Sequence, residues 1–547
     1  MGSHFTRFSR YLPYIVIVLG LACAYCPVAM GYYLYVDDYF SFSSSVSKQL
    51  MFTMIPGRPM IGLWVILWKL VPNLAWMNLF RAISVANICL AACLLSRWLR
   101  FHKFDRWFST FLSMAVFTLP AFQVHSANTI CAVCAIAVTL SMLGVFFAHR
   151  SWPMTILFVI LSCATYQLGA FFYLALLLVP LLVERTPGSL KFWHTMFVRI
   201  FLFVVAVGIY YFLWIGWLSL EKVPQVLKYD GRHFVTDFAQ RWEWFMTRPM
   251  VDSANFWNLR PWQGAVVVYL GLLGVIFLYR FIKDILTLDP AISPFKAIRF
   301  NLFKYVGLFL IIPISYFVAL VCPSPPDGYR GYLVLSSTML LLMVLSLVVS
   351  QTRKYRIIFR SLTLLLMIVG AWSTNFNVKN YFVIPSSKEM RYAINSLRQS
   401  IKAQPDFEGV VLTMPKEPPS FFNLEFGLQN TKNGMNIRGF VNVALHELGI
   451  KKKVRVFYSY KGVVITLPGI VSNGKTIILA DIPSYVGDIT SHIKEKIVQG
   501  DKVTLLTDIA PWYEPDEDLK GKRMLLDAPM MFPQPKTIAL DMNEMRD

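Results

Sequence analysis

Apolar runs of eighteen residues or more recur through the first 374 residues of this chain, and no other feature constrains its fold as strongly. A bilayer core is crossed by about 20 apolar residues in a helix. Lipid offers the backbone no hydrogen-bond partner, so the crossing segments must be helices. Composition agrees: 56% of the 547 residues are hydrophobic and 15% charged, whereas a soluble chain has about a quarter charged residues. The expected fold is a polytopic α-helical membrane protein with about eleven transmembrane helices. They lie near 11–31, 75–96, 108–123, 127–148, 153–166, 169–184, 194–217, 263–283, 303–321, 331–350 and 357–374. The fifth and sixth are short and separated by "TYQLG". Reading that pair as one broken helix would invert everything after it.

The net charge of +21 is unevenly placed. Residues 1–374 hold 30 basic and 12 acidic side chains, and residues 375–547 hold 22 and 19. A basic chain invites a nucleic-acid partner. That partner is excluded here, because the excess sits in short loops between apolar runs, where orientation signals sit. With the N-terminus in the cytoplasm, the inner loops read "RWLRFHKFDRW", "HRSW", "VERTPGSLKFWH", "YRFIKDILTLDPAISPFKAIRFN" and "QTRKYR", all basic. Merging the "TYQLG" pair would put "QTRKYR" outside, so eleven spans are kept. The outer side then receives residues 32–74, the "TYQLG" turn, 218–262, 322–331 and the whole of 375–547.

Residues 375–547 read as a separate soluble α/β domain outside the membrane domain of residues 1–374. "SSKEMRYAINSLRQSIKA" has helical periodicity, while "EGVVLTM", "KKVRVFYSY", "GVVITL", "KTIILAD" and "KVTLLTD" read as short strands. "HELG" at 446–449 lacks the second histidine of a zinc-protease helix. "CAYC" (Cys23, Cys26) and "CAVC" (Cys131, Cys134) have zinc or redox spacing. Both lie inside apolar runs with no His or acid partner nearby, so they read as small helix-packing residues. "MGSHFT" matches a myristoylation pattern, but a lipid anchor is redundant beside many spans. The first apolar run reads as a retained helix rather than a signal peptide.

The stretch "GYYLYVDDYFS" leaves the first span and at once presents Asp37 and Asp38. A solvated loop or a helix N-cap is the plain reading. Two facts favour chemistry. Acids are scarce before residue 375, and the outer pieces carry cations against the inside rule: Lys48, Arg58, Lys69, Arg81, Lys222, Lys228, Arg232, Arg241, Arg248, Arg260 and Arg330. Guanidinium matches phosphate bidentately. The segment 59–71, with Trp64, Trp68 and Lys69, reads as a helix lying in the interface. The 218–262 loop mixes aromatic and planar polar side chains, which suit either sugar rings or interfacial anchoring.

In order and topology, "DDY" after the first span, "GRP" some twenty residues on and "TYQ" between two spans resemble the bacterial serotype-converting O-antigen glucosyltransferases, within the type-C membrane glycosyltransferases. The resemblance covers roughly residues 10–375. It implies transfer of a glucosyl residue from a polyprenyl-phosphate donor to a lipid-linked O-antigen sugar, at the periplasmic face of the bacterial inner membrane. It implies an acid of the first outer loop as general base, a position that falls on Asp37 or Asp38, with Asp38 preferred. Arg58, Tyr166 and Gln167 line the site by the same carry-over, and Arg330 fits a phosphate contact. A phosphate leaving group needs no strong acid, and a single base implies inversion. The second Asp would orient a loop cation or bind a metal. No cofactor is named, and a divalent cation stays open. The competing readings are a transporter or flippase of a lipid-linked sugar, an O-antigen polymerase, a type-C transferase for another sugar, and a functional C-terminal domain on a membrane anchor. Transporters often carry repeats and mid-membrane acids, and neither occurs in these spans.

Overall fold

The computed structural model describes residues 2–35, 38–39, 42, 46–70, 74–148, 150–184, 190–220, 235–260, 262–286, 294–322, 328–348, 356–403, 409–413, 426 and 434–450. It also describes six later strands, given below. Among the described residues six helices are long and apolar enough to cross a bilayer: Tyr11–Met30, Trp76–Phe101, Lys191–Leu220, Gly264–Leu286, Tyr329–Val348 and one in Arg356–Lys402. A seventh is reached if the bent pair Arg106–Phe117 and Pro120–Ala127 is one span. Cys131–Phe147, Trp152–Thr165 and Gln167–Val183 are apolar but shorter. The run expected at 303–321 falls on the helices Pro294–Ser315 and Phe317–Val321, the first of which carries Lys304. All eleven expected segments are thus helical, but only six or seven reach spanning length. The helices are those of an α-helical membrane protein.

The chain divides into two compact units. The first comprises residues 1–31, 45–383 and 421–427, and the second residues 32–44, 384–420 and 428–547. The division falls after Val383 rather than at 374, and Tyr32–Ser44 groups with the C-terminal residues rather than with the spans.

In the first unit the shortened helices come from breaks whose backbone groups are satisfied by side chains. Pro120 has no N–H to continue the helix that ends at Phe117, and the chain turns by 60° there. The freed carbonyls do not stay bare, as an apolar interior requires. Phe117 O accepts from Tyr25 Oη at 2.7 Å. Thr118 O accepts from Gln123 Nε2 at 2.8 Å and from Thr374 Oγ1 at 2.9 Å. Trp257 Nε1 donates to Thr118 Oγ1, and Asn377 Nδ2 to Gln123 Oε1, each at 3.1 Å. A Cβ on Gly370 would collide with Thr118 Oγ1, so glycine lets the Arg356–Asn377 helix approach the break.

At the opposite end of Arg106–Phe117, Asp105 caps the helix by accepting from Trp107 N (3.0 Å) and Phe108 N (3.2 Å). The same carboxylate takes both forks of Arg360, with Nε–Oδ1 at 2.7 Å. Burial pulls this carboxyl up, but Arg360 and the two backbone donors outweigh it and hold it below the ordinary carboxylate range. Nearby helices bury their own cations. Lys304 Nζ binds Glu184 O (2.7 Å) and Asp284 (3.2 Å), and Arg280 reaches Leu182 O at 3.3 Å.

In the second unit the strands β1 (Gly409–Thr413), β2 (Arg455–Tyr460), β3 (Val463–Leu467) and β7 (Thr537–Asp541) form one sheet in the order β3-β2-β1-β7. β1 is parallel to β2 and β7, and β3 is antiparallel to β2. A smaller sheet joins β4 (Val471–Ser472), β5 (Thr476–Ile478) and β6 (Lys502–Thr504). The helices are Ile384–Ala403 and Gly434–Glu447. "HELG" closes the second of these. Gly449, at φ +76°, takes the left-handed position of a helix stop, with Ile450 N bonded back to Leu445 O.

Candidate functional site

"PGRP" is a helix stop followed directly by a helix start. The helix Val46–Met54 ends with Gly57 N bonded to Met54 O and Arg58 N bonded to Thr53 O. That pair of bonds is a Schellman cap, which places Gly57 in the left-handed region, at φ +75°. Pro59 then opens Pro59–Lys69, its fixed φ suiting the first helical position, with Arg58 O accepting from Ile61 N. Arg58 is therefore held at the joint between two helices.

The "TYQLG" break meets that joint. Tyr166 is extended (φ −158°, ψ 108°) and interrupts the helix between Thr165 and Gln167. Gln167 Oε1 accepts from Arg58 Nε at 3.1 Å. Its Nε2 donates to Pro56 O (2.6 Å), Gly57 O (3.2 Å) and Tyr210 Oη (2.8 Å). Tyr210 Oη in turn donates to Gly57 O, and Trp214 Nε1 to Ile55 O at 3.1 Å. The Arg58 guanidinium lies 5.0 Å from the Tyr166 ring centre. Among the described residues its terminal nitrogens have no acceptor and it has no carboxylate partner.

Arg330 joins through its backbone. It sits in the 3-10 turn Tyr329–Tyr332, and its carbonyl accepts from Tyr166 Oη at 3.0 Å.

Four of the six residues read from the sequence thus converge: Arg58, Tyr166, Gln167 and Arg330. Asp37 lies outside the described residues. Asp38 belongs to the second unit. It is buried, its Oδ2 accepts from Tyr35 N at 3.1 Å, and its own N–H bonds Tyr35 O at 2.9 Å. It closes a tight turn in a segment that packs on the Gly434–Glu447 helix. There Tyr39 meets Phe440 edge-on at 5.3 Å, and Tyr32 Oη donates to Glu447 Oε2.

Other expected cations have different places. Arg81 is fully buried inside Leu74–Phe101 and donates to Gly31 O at 2.9 Å. Lys222, Lys228 and Arg232 lie outside the described residues, as do the side chains of Lys48 and Lys69. Trp64, expected at an interface, is buried, with Nε1 on Thr129 O at 2.9 Å. Part of the expected 218–262 loop is helical, as Phe238–Thr247 and Pro249–Ala254. Its Trp244 and Phe245 stack on Tyr316.

Two site residues escape sequence reasoning. Tyr210 sits among the apolar residues of the long helix Leu190–Leu220, with no local mark of its contact with Gly57. His125, in Pro120–Ala127, lies edge-on to Tyr166 at 5.4 Å, and its Nε2 is 3.1 Å from Arg330 O. No protein-family model matches the chain, and no curated protein matches it significantly.

Proposed function

We propose that this chain transfers a glucosyl residue from a polyprenyl-phosphate carrier to an O-antigen sugar at the periplasmic face of the bacterial inner membrane. The observation that carries the reading is Arg58: a guanidinium fixed at a helix joint by Gln167, whose terminal nitrogens have no acceptor among the described residues, with the backbone carbonyl of Arg330 on the adjoining Tyr166. A guanidinium fork so held suits the oxygens of a lipid phosphate as its charge develops. The acceptor hydroxyl oxygen forms the new bond to the anomeric carbon. The bond from that carbon to the phosphate oxygen breaks, and the lipid phosphate leaves with the electron pair. The hydroxyl proton goes to a carboxylate of the first outer loop, Asp38 or Asp37, and attack from the opposite face inverts the centre. The finer architecture belongs to the same proposal: type-C topology with about eleven membrane segments, a cytoplasmic N-terminus and a periplasmic α/β domain.

The test separates binding from chemistry. Arg58→Ala should weaken polyprenyl-phosphate binding by about ten- to a hundredfold, the range for losing a charge-assisted contact. Asp38→Asn should abolish transfer with carrier binding intact, and Asp37→Asn should do so instead if that residue is the base. Full transfer by both single variants and by the double variant would end the reading. Carrier affinity unchanged in Arg58→Ala would remove Arg58 from it.

A further inference from the structure

We propose that His125, Cys131 and Cys134 bind a zinc ion. His125 stands six residues before Cys131, in "HSANTIC", outside the Cys-x-x-Cys motif itself. Pro120–Ala127 ends at Asn128, a turn follows, and the chain restarts at Cys131–Val133 and Cys134–Phe147. Across that turn His125 lies beside the two cysteines. A ring nitrogen of His125 and both Sγ atoms lie within 4.8 Å of one another. Tetrahedral zinc with Zn–S of about 2.3 Å and Zn–N of about 2.0 Å needs donor separations of ~3.5–3.8 Å, a small inward adjustment.

The histidine is prepared for this role. A carbonyl only accepts, so the 3.1 Å contact with Arg330 O requires the proton on Nε2. In the neutral ring that leaves Nδ1 as a bare lone pair. His125 is fully buried, and among the described residues no hydrogen bond of full geometry reaches its Nδ1, while its ring lies within interaction range of the Cys131 thiol. A ligand histidine whose second nitrogen is oriented by a backbone carbonyl is the usual support of a metal centre.

The turn is equally fixed. Trp64 Nε1 holds Thr129 O at 2.9 Å, and Ser84 Oγ holds Ala132 O at 3.1 Å. Asn128 Oδ1 is 3.5 Å from Cys131 N. Two thiolates and a neutral imidazole around Zn2+ sum to zero, and a mixed sulfur and nitrogen donor set in tetrahedral reach suits zinc. Cys134 is buried and Cys131 half-buried, so the metal has an entry side. The three protein ligands leave the fourth position to water. Binding would also fix the carbonyl of Arg330, which Tyr166 shares. The site stands whether or not the chain transfers sugar.

The test is metal content. The full-length protein, purified in detergent and reduced, is given Zn2+ and dialysed against a weak chelator. Elemental analysis should find about one zinc per chain in wild type. The Cys131→Ser/Cys134→Ser variant should fall to background, while Cys163→Ser, at a buried cysteine of Trp152–Thr165, should keep its zinc. Should the double variant fail to fold, Co2+ in the wild type decides. A thiolate-to-cobalt charge-transfer band supports the site, and bound cobalt without that band overturns it. No bound metal in wild type overturns it as well, as does zinc retained in the double variant. A Cys131–Cys134 disulfide in the unreduced protein, found by intact mass, would also overturn it.

Discussion

Arg58 has five N–H donors, and among the described residues only Nε is committed, to Gln167. Gln167 is committed on both ends, which makes it a positioning residue between the helix joint and the cation. Gln167→Leu should therefore weaken carrier binding almost as much as Arg58→Ala, by about tenfold or more, because the guanidinium loses its orientation. Equal affinity of Gln167→Leu and wild type, measured by carrier titration, would show that Arg58 needs no holder. Gly57→Ala tests the joint itself. The left-handed conformation costs a side-chain-bearing residue about 1–2 kcal/mol, and the added Cβ would strike Tyr210 Oη. Its thermal midpoint in detergent should drop clearly, and an unchanged midpoint would contradict the Schellman geometry.

Between elements, the first unit is held together at its helix interruptions. Thr118 receives Gln123, Thr374 and Trp257, so Gly370→Ala should disrupt a whole network rather than one contact. A loss of about 1–3 kcal/mol is expected from overpacking at that approach, read as a lowered melting midpoint. The Asp105–Arg360 pair gives a pH signature. The folded carboxyl titrates below its unfolded value, so its contribution is complete above the unfolded pKa of about 4 and is lost as pH falls through the folded one. The midpoint difference between wild type and Asp105→Asn should be constant from pH 8 to 5 and close in more acidic buffer. A difference that grows on acidification would contradict the assignment.

How much of this was legible follows from range. "TYQLG" and "PGRP" mark breaks by local chemistry, and both are breaks. That these two breaks meet through Gln167 and Arg58 is a contact across 109 positions, invisible to any window. The histidine of the "CAVC" pair was in plain view six residues upstream, but a spacing of six across a turn matches no local metal motif, so only the distances join the three residues. Arg81 looked like an outer cation because burial inside a helix leaves no mark on its own neighbours. Trp64 carried an interfacial signal but fills a pocket against Phe80.

For the whole molecule, the apolar runs expected from hydropathy fall on helices among the described residues, but only six or seven of these are of spanning length, because helices interrupted inside a bundle keep the apolar composition of full spans. Topology remains a proposal with a direct check. Phosphatase fused after residue 355 should be inactive and at the C-terminus active. The reverse pattern would place the C-terminal residues in the cytoplasm and invert the reading of every outer loop. The most direct measurement is the transfer itself: polyprenyl-phosphoglucose and a lipid-linked O-antigen acceptor incubated with purified wild type or with the Asp37→Asn/Asp38→Asn variant, the acceptor then weighed by mass spectrometry. The account predicts a gain of one hexose with wild type and none with the variant. A gain that persists in the variant would contradict the first-loop base. No gain with wild type, while a liposome assay detects flipping of the carrier, would contradict the transferase.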